Sequence, residues 1–443
     1  MKFDSQLLLE RLATLTEAEP VARWLIAFSG GVDSSVLLHA IASSGQIDRE
    51  RIVAIHVNHG LHQDADAWEE HCRKFADSLG VNFLSERVVV DERHGSGPEA
   101  AARQARYALL QTLVAPGDCL LSAHHENDQA ETLLLNLMRG SGIAGMAGIG
   151  ALQEFAEGRL LRPLLGVSGE AIDAYAARHQ LQWIDDPSNA DTRFDRNFLR
   201  REILPRLATR WPAVAQRLRQ SAELASEANS LLTDLAELDL AAAGSAQRLE
   251  LGAVRALSAA RQRNLLRHAV NLCGLPAPPA TRLYQAIHEL IPARADAQPL
   301  VAWPGAELRR YRDHLYLMPA MDEVPEAPLQ PLTPDRELLL GPGMGRLSLQ
   351  ANVADGLDPD LASGGLTVRY RGGGEQIRPS GGGRTRKVKK LMQQEGVVPW
   401  MRERLPLLYA GDKLVAVADL WVAAEHTARA GFGVCWLDHA SLH

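Results

Sequence analysis

Up to about residue 150 the chain alternates short apolar runs with segments of helical spacing, and this alternation constrains the fold more than any other feature. WLIAF (24–28), IVAIHV (52–57), a run ending in ERVVV (86–90) and DCLLSA (118–123) read as buried strands. Between them SSVLLHAIAS, ADAWEEHCRKFADSLG and PEAAARQARYALLQTLV repeat apolar residues at helical intervals. Parallel strands need a crossover, and crossover helices cover both sheet faces, so the pattern predicts a doubly wound parallel sheet of the α/β class. Ligands bind such sheets beyond the carboxyl ends of the strands, which directs attention to the loops after Phe28, Val57 and Ala123.

The remaining sequence changes character. At ~100–200 residues per domain, 443 residues call for more than one. Residues 213–243 are rich in Ala and Leu, poor in Pro, and predicted helical. Prolines cluster at 276–279 and again between 319 and 342, where turns and a linker are expected. Beyond them GRLSLQA, LTVRYR and KLVAVADLWVAA alternate with glycine clusters and suggest a small α+β module. The expected division is a catalytic domain at 1–212, a helical middle domain at 213–325, a linker and the start of the last module at 326–366, and the rest of that module at 367–443.

With 46% hydrophobic and 23% charged residues, the composition is that of an ordinary globular protein and excludes disordered, collagen-like and disulfide-scaffold chains. Cys72, Cys119, Cys273 and Cys435 are scattered, with no CxxC pair and no neighbour of a phosphate loop, so a reducing compartment without structural zinc or an iron–sulfur cluster is expected. The start, MKFDSQLLLERL, carries acidic residues and reads as an amphipathic helix, not a secretory signal. No window approaches the ~20 apolar residues of a membrane span. A cytoplasmic protein with no membrane partner is the expectation.

The formal charge, −7, argues against nucleic acid only if it is evenly spread. Residues 193–219 hold eight Arg against Asp195 and Glu202, a local +6. Residues 369–404 hold ten Arg and Lys against Glu375, Glu395 and Glu403, a local +7, which leaves −20 for the rest of the chain. The first patch contains Asp195-Arg196-Asn197-Phe198-Leu199-Arg200-Arg201, guanidiniums interleaved with an aromatic, suited to phosphate contacts and base stacking through Arg196, Asn197, Arg200 and Arg201. The second contains the glycine-rich GGGRTRKVKK, whose Arg384, Arg386, Lys387, Lys389 and Lys390 suit an RNA backbone. A salt-bridged helix in the first case and a plain basic surface in the second are the bland alternatives.

Ser29-Gly30-Gly31-Val32-Asp33-Ser34 lies directly between a predicted strand and a predicted helix. Adjacent glycines admit close approach of an anion to backbone amides, the helix dipole favours it, and Ser29 and Ser34 add hydroxyl donors. The loop is not a Walker A sequence, because it lacks GxxxxGK[ST] and any lysine. It resembles the pyrophosphate-binding loop of enzymes that split ATP into AMP and pyrophosphate. Gly140-Ser141-Gly142-Ile143-Ala144-Gly145 matches GxGxxG but follows a helix, so the context for a dinucleotide fold is missing.

The fourth strand leads into Ala123-His124-His125-Glu126-Asn127-Asp128-Gln129-Ala130-Glu131-Thr132. If a helix starts near Glu126, Asp128 and Glu131 share a face. A pocket for ATP, Mg²⁺ and a cationic amine needs such carboxylates and imidazoles. An acid-capped, solvated helix start is the alternative. After the second strand, His56-Val57-Asn58-His59-Gly60-Leu61-His62 offers histidines at spacing three without a completing carboxylate, so a loop contacting the nucleotide base through His59 is preferred over a metal site.

Taken in order, SGGVDSS, HVNHGL, AARQARY, AHHENDQAET, RGSGIAGMAGI, RPLL and WIDDPSNADTRFDRNFLRREILP resemble the tRNA(Ile)-lysidine synthases of the PP-loop ATP pyrophosphatase superfamily, and 368–422 resembles their terminal RNA-binding module. The resemblance implies a PP-loop, adenine nucleotide alpha hydrolase-like domain that binds ATP through Ser29, Gly30, Gly31, Val32, Asp33, Ser34 and His59. It implies a ligase joining L-lysine to C2 of the wobble cytidine in tRNA(Ile) with a CAU anticodon, through an adenylated cytidine. Asp33 is placed for Mg²⁺ or lysine, Glu131 and then Asp128 for the lysine ammonium, His124 and His125 for phosphate or cytosine, and Arg103 and Arg106 for the α-phosphate. Another tRNA-modifying PP-loop enzyme and a non-catalytic tRNA-binding protein are the rivals; whether the enzyme is a homodimer is left open.

Overall fold

The computed structural model describes residues 2–60, 62–88, 98–294, 297–326 and 330–442. It divides into two compact units, Met1–Leu232 and Thr233–His443.

The first unit is built on strands β1 (Trp24–Ala27), β2 (Ile52–Asn58), β3 (Asn82–Arg87), β4 (Cys119–Leu121), β5 (Leu152–Phe155) and β6 (Gly158–Leu161), in the order β3-β2-β1-β4-β6-β5. All neighbouring pairs are parallel except β5 with β6. The third strand starts and ends earlier than the ERVVV run suggests, and Val89 and Val90 lie outside the described residues. Side chains alternate across the sheet. Ile26, Ala54, Leu121 and Leu161 enter the core beneath one face, while Leu25, Ile55, Leu120 and Leu160 enter the core beneath the other. Each buried Leu or Ile in these cores contributes roughly 1.5–3 kcal/mol. Burial on both faces explains why the strands read as continuous apolar runs instead of alternating ones.

The helices α1 (Ser5–Leu15), α2 (Val32–Ala42), α3 (Ala65–Leu79), α4 (Pro98–Leu113), α5 (Glu126–Met138), α6 (Ile143–Met146) and α7 (Gly169–Arg178) supply the crossovers and flanks. A segment then runs as α8 (Asp195–Phe198), a π-helical turn (Leu199–Ile203) and α9 (Leu204–Arg210). Pro205 has no amide to give to the helix ladder, and the wide turn sits immediately before it. The 30-residue α10 (Val214–Ala243) follows, as the Ala/Leu-rich sequence predicts.

In the second unit α11 (Leu251–Ala256), α12 (Ala259–Leu272) and α13 (Ala280–Gln285) pack on a five-stranded antiparallel sheet, where the sequence pattern predicts helices alone. Its central strands, Ala306–Tyr311 and His314–Pro319, pair through a tight hairpin. The C-terminal module contains the Arg346–Val353 and Gly431–Leu437 pair, the Thr367–Arg369, Leu407–Ala410, Lys413–Val417 and Trp421–Val422 sheet, and the helix Val388–Glu395 over a common core.

Candidate active site at the sheet switch point

The chain leaves β1 toward β2 on one side and β4 lies on the other, so the crevice between their carboxyl ends is the switch point of the sheet. The phosphate loop emerges from β1 and the His/Asp/Glu cluster from β4. Two motifs nearly a hundred residues apart in sequence are therefore neighbours.

In the loop, Gly30 has φ +84°, and a Cβ there would meet Ile184 Cδ1 at 2.5 Å and Cys72 Sγ at 2.8 Å, so only glycine fits. Its carbonyl accepts from Ile184 N at 2.9 Å, which ties the loop to the 181–186 segment. Gly31 is the N-cap of α2, and among the described residues no side chain caps the helix. The first-turn amides are thus available to an anion. Ser29 Oγ and Ser34 Oγ lie 3.1 Å apart at its rim, and Ser34 Oγ donates to Gly31 O at 3.0 Å. The position of Cys72 overturns the expectation that no cysteine neighbours this loop. α3 brings it there from a distance that sequence spacing does not reveal. It is fully buried, and burial pushes its thiol up to about 12, with Glu69 adding to the effect, so it is a packing group and not a nucleophile.

α5 begins at Glu126, as predicted. His125 is its N-cap, and Asp128 Oδ2 accepts from His125 N at 2.9 Å to close a capping box. His125 Nε2 stands 3.6 Å from both Asp33 Oδ1 and Asp128 Oδ2, joining the two motifs. Burial, reinforced by Asp128 and Asp173, raises the Asp33 carboxyl, while His125 and Arg200 pull against it. Asp128 is held below the usual carboxylate range: burial opposes this, but His125, Arg196 and His124 prevail.

Arg196 and Arg200, one helical turn apart, converge on the same carboxylates. Arg196 Nε donates to Glu131 Oε2 at 2.7 Å and its Nη2 to Asp128 Oδ1 at 2.9 Å. Arg200 Nε donates to Glu131 Oε1 at 2.6 Å, and its Nη2 to Asp128 Oδ1 and Glu131 Oε2, both at 3.0 Å. Glu131 is wholly buried, and both its oxygens are engaged. Composition suggests that these arginines reach toward RNA; the fold turns their donors onto carboxylates. Asn197 donates to Ser188 O and Asp191 O, both at 3.0 Å, and so pins the preceding turn, while Arg201 is exposed.

His124 Nδ1 lies 2.5 Å from Ser122 Oγ. Burial drives its imidazole down to about 3; Asp128 opposes the shift, and Arg162, Arg196 and Arg103 add to it. His59 is lowered to about 4 by burial, with Arg106 and His56 contributing, and its Nδ1 is buried without a hydrogen-bond partner among the described residues. His56 Nδ1 is 3.1 Å from Phe28 O, a structural tie between strand ends. Asn58 Nδ2 donates to Asp66 Oδ1 and Glu69 Oε2, and its Oδ1 accepts from Gly60 N, which makes it the organiser of the loop. On α4, Arg103 stacks over Tyr107 at 5.1 Å and Arg106 lies 6.0 Å from the same ring.

Sequence reasoning misses Gln129, Glu126 with Arg219, and Arg162. Gln129 clasps Ile149 through N–H and C=O, at 2.6 and 3.1 Å, and so straps the glycine-rich 140–150 loop to α5. Arg219 Nε donates to Glu126 Oε2 at 3.1 Å, fastening α5 to α10. No linear spacing announces these contacts, since sheet order creates them.

Residues 5–207 match the PP-loop domain family, 249–316 the TilS substrate binding domain and 366–436 the TilS substrate C-terminal domain. A tRNA(Ile)-lysidine synthase of Alkalilimnicola ehrlichii is 43% identical over 95% of this chain and 94% of its own length. The chain belongs to the tRNA(Ile)-lysidine synthase family. Members from Coxiella burnetii (39% identical; 96% of this chain, 94% of that one) and Pseudomonas aeruginosa (42%; 97% and 96%) align as completely. Lysidine synthases thus share with this chain all three regions, including the middle and terminal ones. Among the described residues no helix is long and apolar enough to cross a membrane.

The second basic segment lies in the other compact unit. Arg384, Arg386, Lys387, Lys389 and Lys390 are all exposed, around the short strand Arg386–Lys387 and the start of the helix Val388–Glu395. Pro379, Gly382, Arg384, Arg386, Gln394 and Trp421 line an open cavity of about 540 Å³ beside them.

Proposed function

We propose that the protein ligates L-lysine to C2 of the wobble cytidine of tRNA(Ile) with a CAU anticodon, consuming ATP and releasing AMP and pyrophosphate. The observation that carries this reading is the meeting, at one sheet switch point, of an uncapped glycine-rich helix start with a buried His/Asp/Glu/Arg cluster. Full-length similarity to lysidine synthases supports it.

Cytosine O2 is a poor leaving group and must be activated. It attacks the α-phosphorus of ATP, the bond to the β-phosphate breaks, and pyrophosphate departs. The lysine ammonium first gives up a proton to solvent, the freed nitrogen lone pair attacks C2, the C2–O2 bond breaks, and AMP leaves with O2. The amides at 31–34 with Ser29 and Ser34 receive the pyrophosphate. Mg²⁺ is held by few carboxylates plus phosphate oxygens, and the half-buried Asp33 beside the anion seat fits that pattern, supplying charge neutralisation when the ion is bound. Among the described residues no group of three ligating side chains forms a metal cage. Arg103 and Arg106 stabilise charge at the α-phosphate, and His59 contacts the base of ATP. The lysine ammonium enters the acidic corner of Asp33, Asp128 and Glu131 in exchange for the partly exposed Arg200 guanidinium.

Residues 1–212 carry the chemistry, and Arg384, Arg386, Lys387, Lys389 and Lys390 hold the tRNA in 367–443. The product pairs with adenosine, so the tRNA changes from methionine to isoleucine identity, a cytoplasmic task. Asp33→Ala and Glu131→Ala are each expected to bind tRNA and form no lysidine. A normal rate from either variant contradicts the assignment.

A further inference from the structure

The glycine-rich stretch 140–151 holds none of the residues assigned to ATP, lysine or Mg²⁺, and every residue in it is half-buried or exposed. Its backbone is nonetheless fixed at three points by polar side chains. Asn136 Nδ2 donates to Gly145 O at 2.7 Å. Gln129, which is buried, donates from Nε2 to Ile149 O at 3.1 Å and accepts at Oε1 from Ile149 N at 2.6 Å. Arg162, also buried, donates from Nη1 to Gly150 O at 2.7 Å, and its amide donates to Ala151 O at 2.8 Å. Gln129 and Asn136 are two turns apart, on one face of α5.

Gln129 makes the tightest of these holds. A primary carboxamide that gives and takes a hydrogen bond at one residue reproduces the pairing of a neighbouring strand. Gly148 is shaped by the same hold: its φ is +65°, and a Cβ there would meet Gln129 Oε1 at 2.5 Å and Cδ at 2.9 Å. Ordering such a stretch costs conformational entropy, with no fully buried side chain in it to offset the cost. Its fixed shape therefore points to what it presents.

The holds place the stretch at the site. Gln129 stands in the first turn of α5, between Asp128 and Glu131. Gly150 and Ala151 lie against Arg162 at the carboxyl end of β6, which pairs with β4. There Ser122 N donates to Leu161 O at 3.0 Å, and Ser122 Oγ lies 2.5 Å from His124 Nδ1. Since β1 and β6 flank β4, residues 146–150 border the crevice on the side away from the phosphate loop. This border, Met146-Ala147-Gly148-Ile149-Gly150, carries no charge, so it suits neither phosphates nor an ammonium group. It suits the apolar face of a nucleobase, and a base that undergoes chemistry must leave its stack to reach an enzyme's reacting groups.

Resting on the functional reading above, we propose that residues 146–150 form the wall against which the target cytidine base packs, and that Gln129 is the positioning residue that holds this wall in place.

The test is lysidine formation by the full-length enzyme with tRNA, ATP and lysine varied in turn, beside hydrogen exchange at the Ile149 amide. Gln129→Met keeps the side-chain length and removes both hydrogen bonds, whereas Gly148→Ala leaves Gln129 in the chain and pushes its carboxamide aside. Each should speed exchange at Ile149 at least ten-fold and lower kcat/KM for tRNA at least ten-fold, with KM for ATP and for lysine within about three-fold. Faster exchange with an unchanged kcat/KM for tRNA overturns the proposal. So does an equal rise in all three KM values, the mark of a merely structural role. If neither variant folds, the wild type decides: tRNA(Ile) must slow exchange across 146–150, and equal slowing by a tRNA abasic at the wobble position overturns the proposal. A wild type that forms no lysidine refutes the functional reading instead, and the abasic comparison still judges the wall.

Discussion

The two basic segments have similar net charge and opposite fates. In 193–219, Arg196 and Arg200 face inward onto Asp128 and Glu131, Arg219 onto Glu126, and Arg206 pairs with Glu202. In 369–404, Arg384, Lys387, Lys389 and Lys390 stay exposed and form no ion pair among the described residues. Local charge therefore identifies where cations are concentrated, and only the fold says whether they neutralise the protein or await a polyanion. The first segment's arginines are spent on the protein's own carboxylates; the second segment's cations stay at the surface.

The largest effect should come from breaking the inward cluster. Glu131→Gln should abolish lysidine formation, at least a hundred-fold, and destabilise the first unit by roughly 3 kcal/mol, below the full cost of breaking a buried pair because Arg200 is 40% exposed. The dissociation constant for tRNA should change less than three-fold. Urea denaturation and filter binding check both halves, and a large loss of tRNA affinity would erase the contrast between the segments.

Alanine at Arg384, Lys387, Lys389 and Lys390 should do the reverse. Every cation that no longer neutralises a phosphate flattens the salt dependence by up to about 0.9 in log–log slope, so tRNA affinity should fall about 10- to 100-fold at moderate salt. KM for ATP should not move. An unchanged salt slope would show that this surface does not touch RNA.

The parallel sheet, the placing of the glycine-rich loop between a strand and a helix, and the start of α5 are legible in the sequence because periodicity and glycine placement are local properties. So is the nearness in sequence of His125, Asp128 and Glu131, the cap and first two turns of α5. The destination of Arg196 and Arg200 is not, because a guanidinium reads alike whether it meets phosphate or carboxylate. Cys72 and Arg162 are hidden for a different reason. Each reaches the site from a flanking element through sheet order, and no spacing in the chain encodes that approach.

Smaller effects sharpen the picture of the first unit. His124 and His59 are held neutral, at about 3 and about 4 when folded against about 6.5 in an unfolded chain. The unfolded chain then binds more protons as pH falls below about 6.5, so stability declines from there toward pH 4 and is constant above. Thermal melts should show that decline, and His124→Asn should reduce it. Smallest of all, Cys72→Ala should retain activity within about two-fold, and iodoacetamide should not label Cys72 in the native protein at pH 8. Loss of all activity in a folded variant would contradict a packing role for Cys72.

The central claim is tested most directly by incubating the protein with ATP, labelled lysine and total tRNA, then digesting the tRNA to nucleosides. The account predicts one lysine incorporated per CAU-anticodon tRNA(Ile), at the wobble cytidine, with AMP and pyrophosphate released in equal amounts. ATP cleavage without lysine in the tRNA, or lysine attached anywhere but that cytidine, would contradict it.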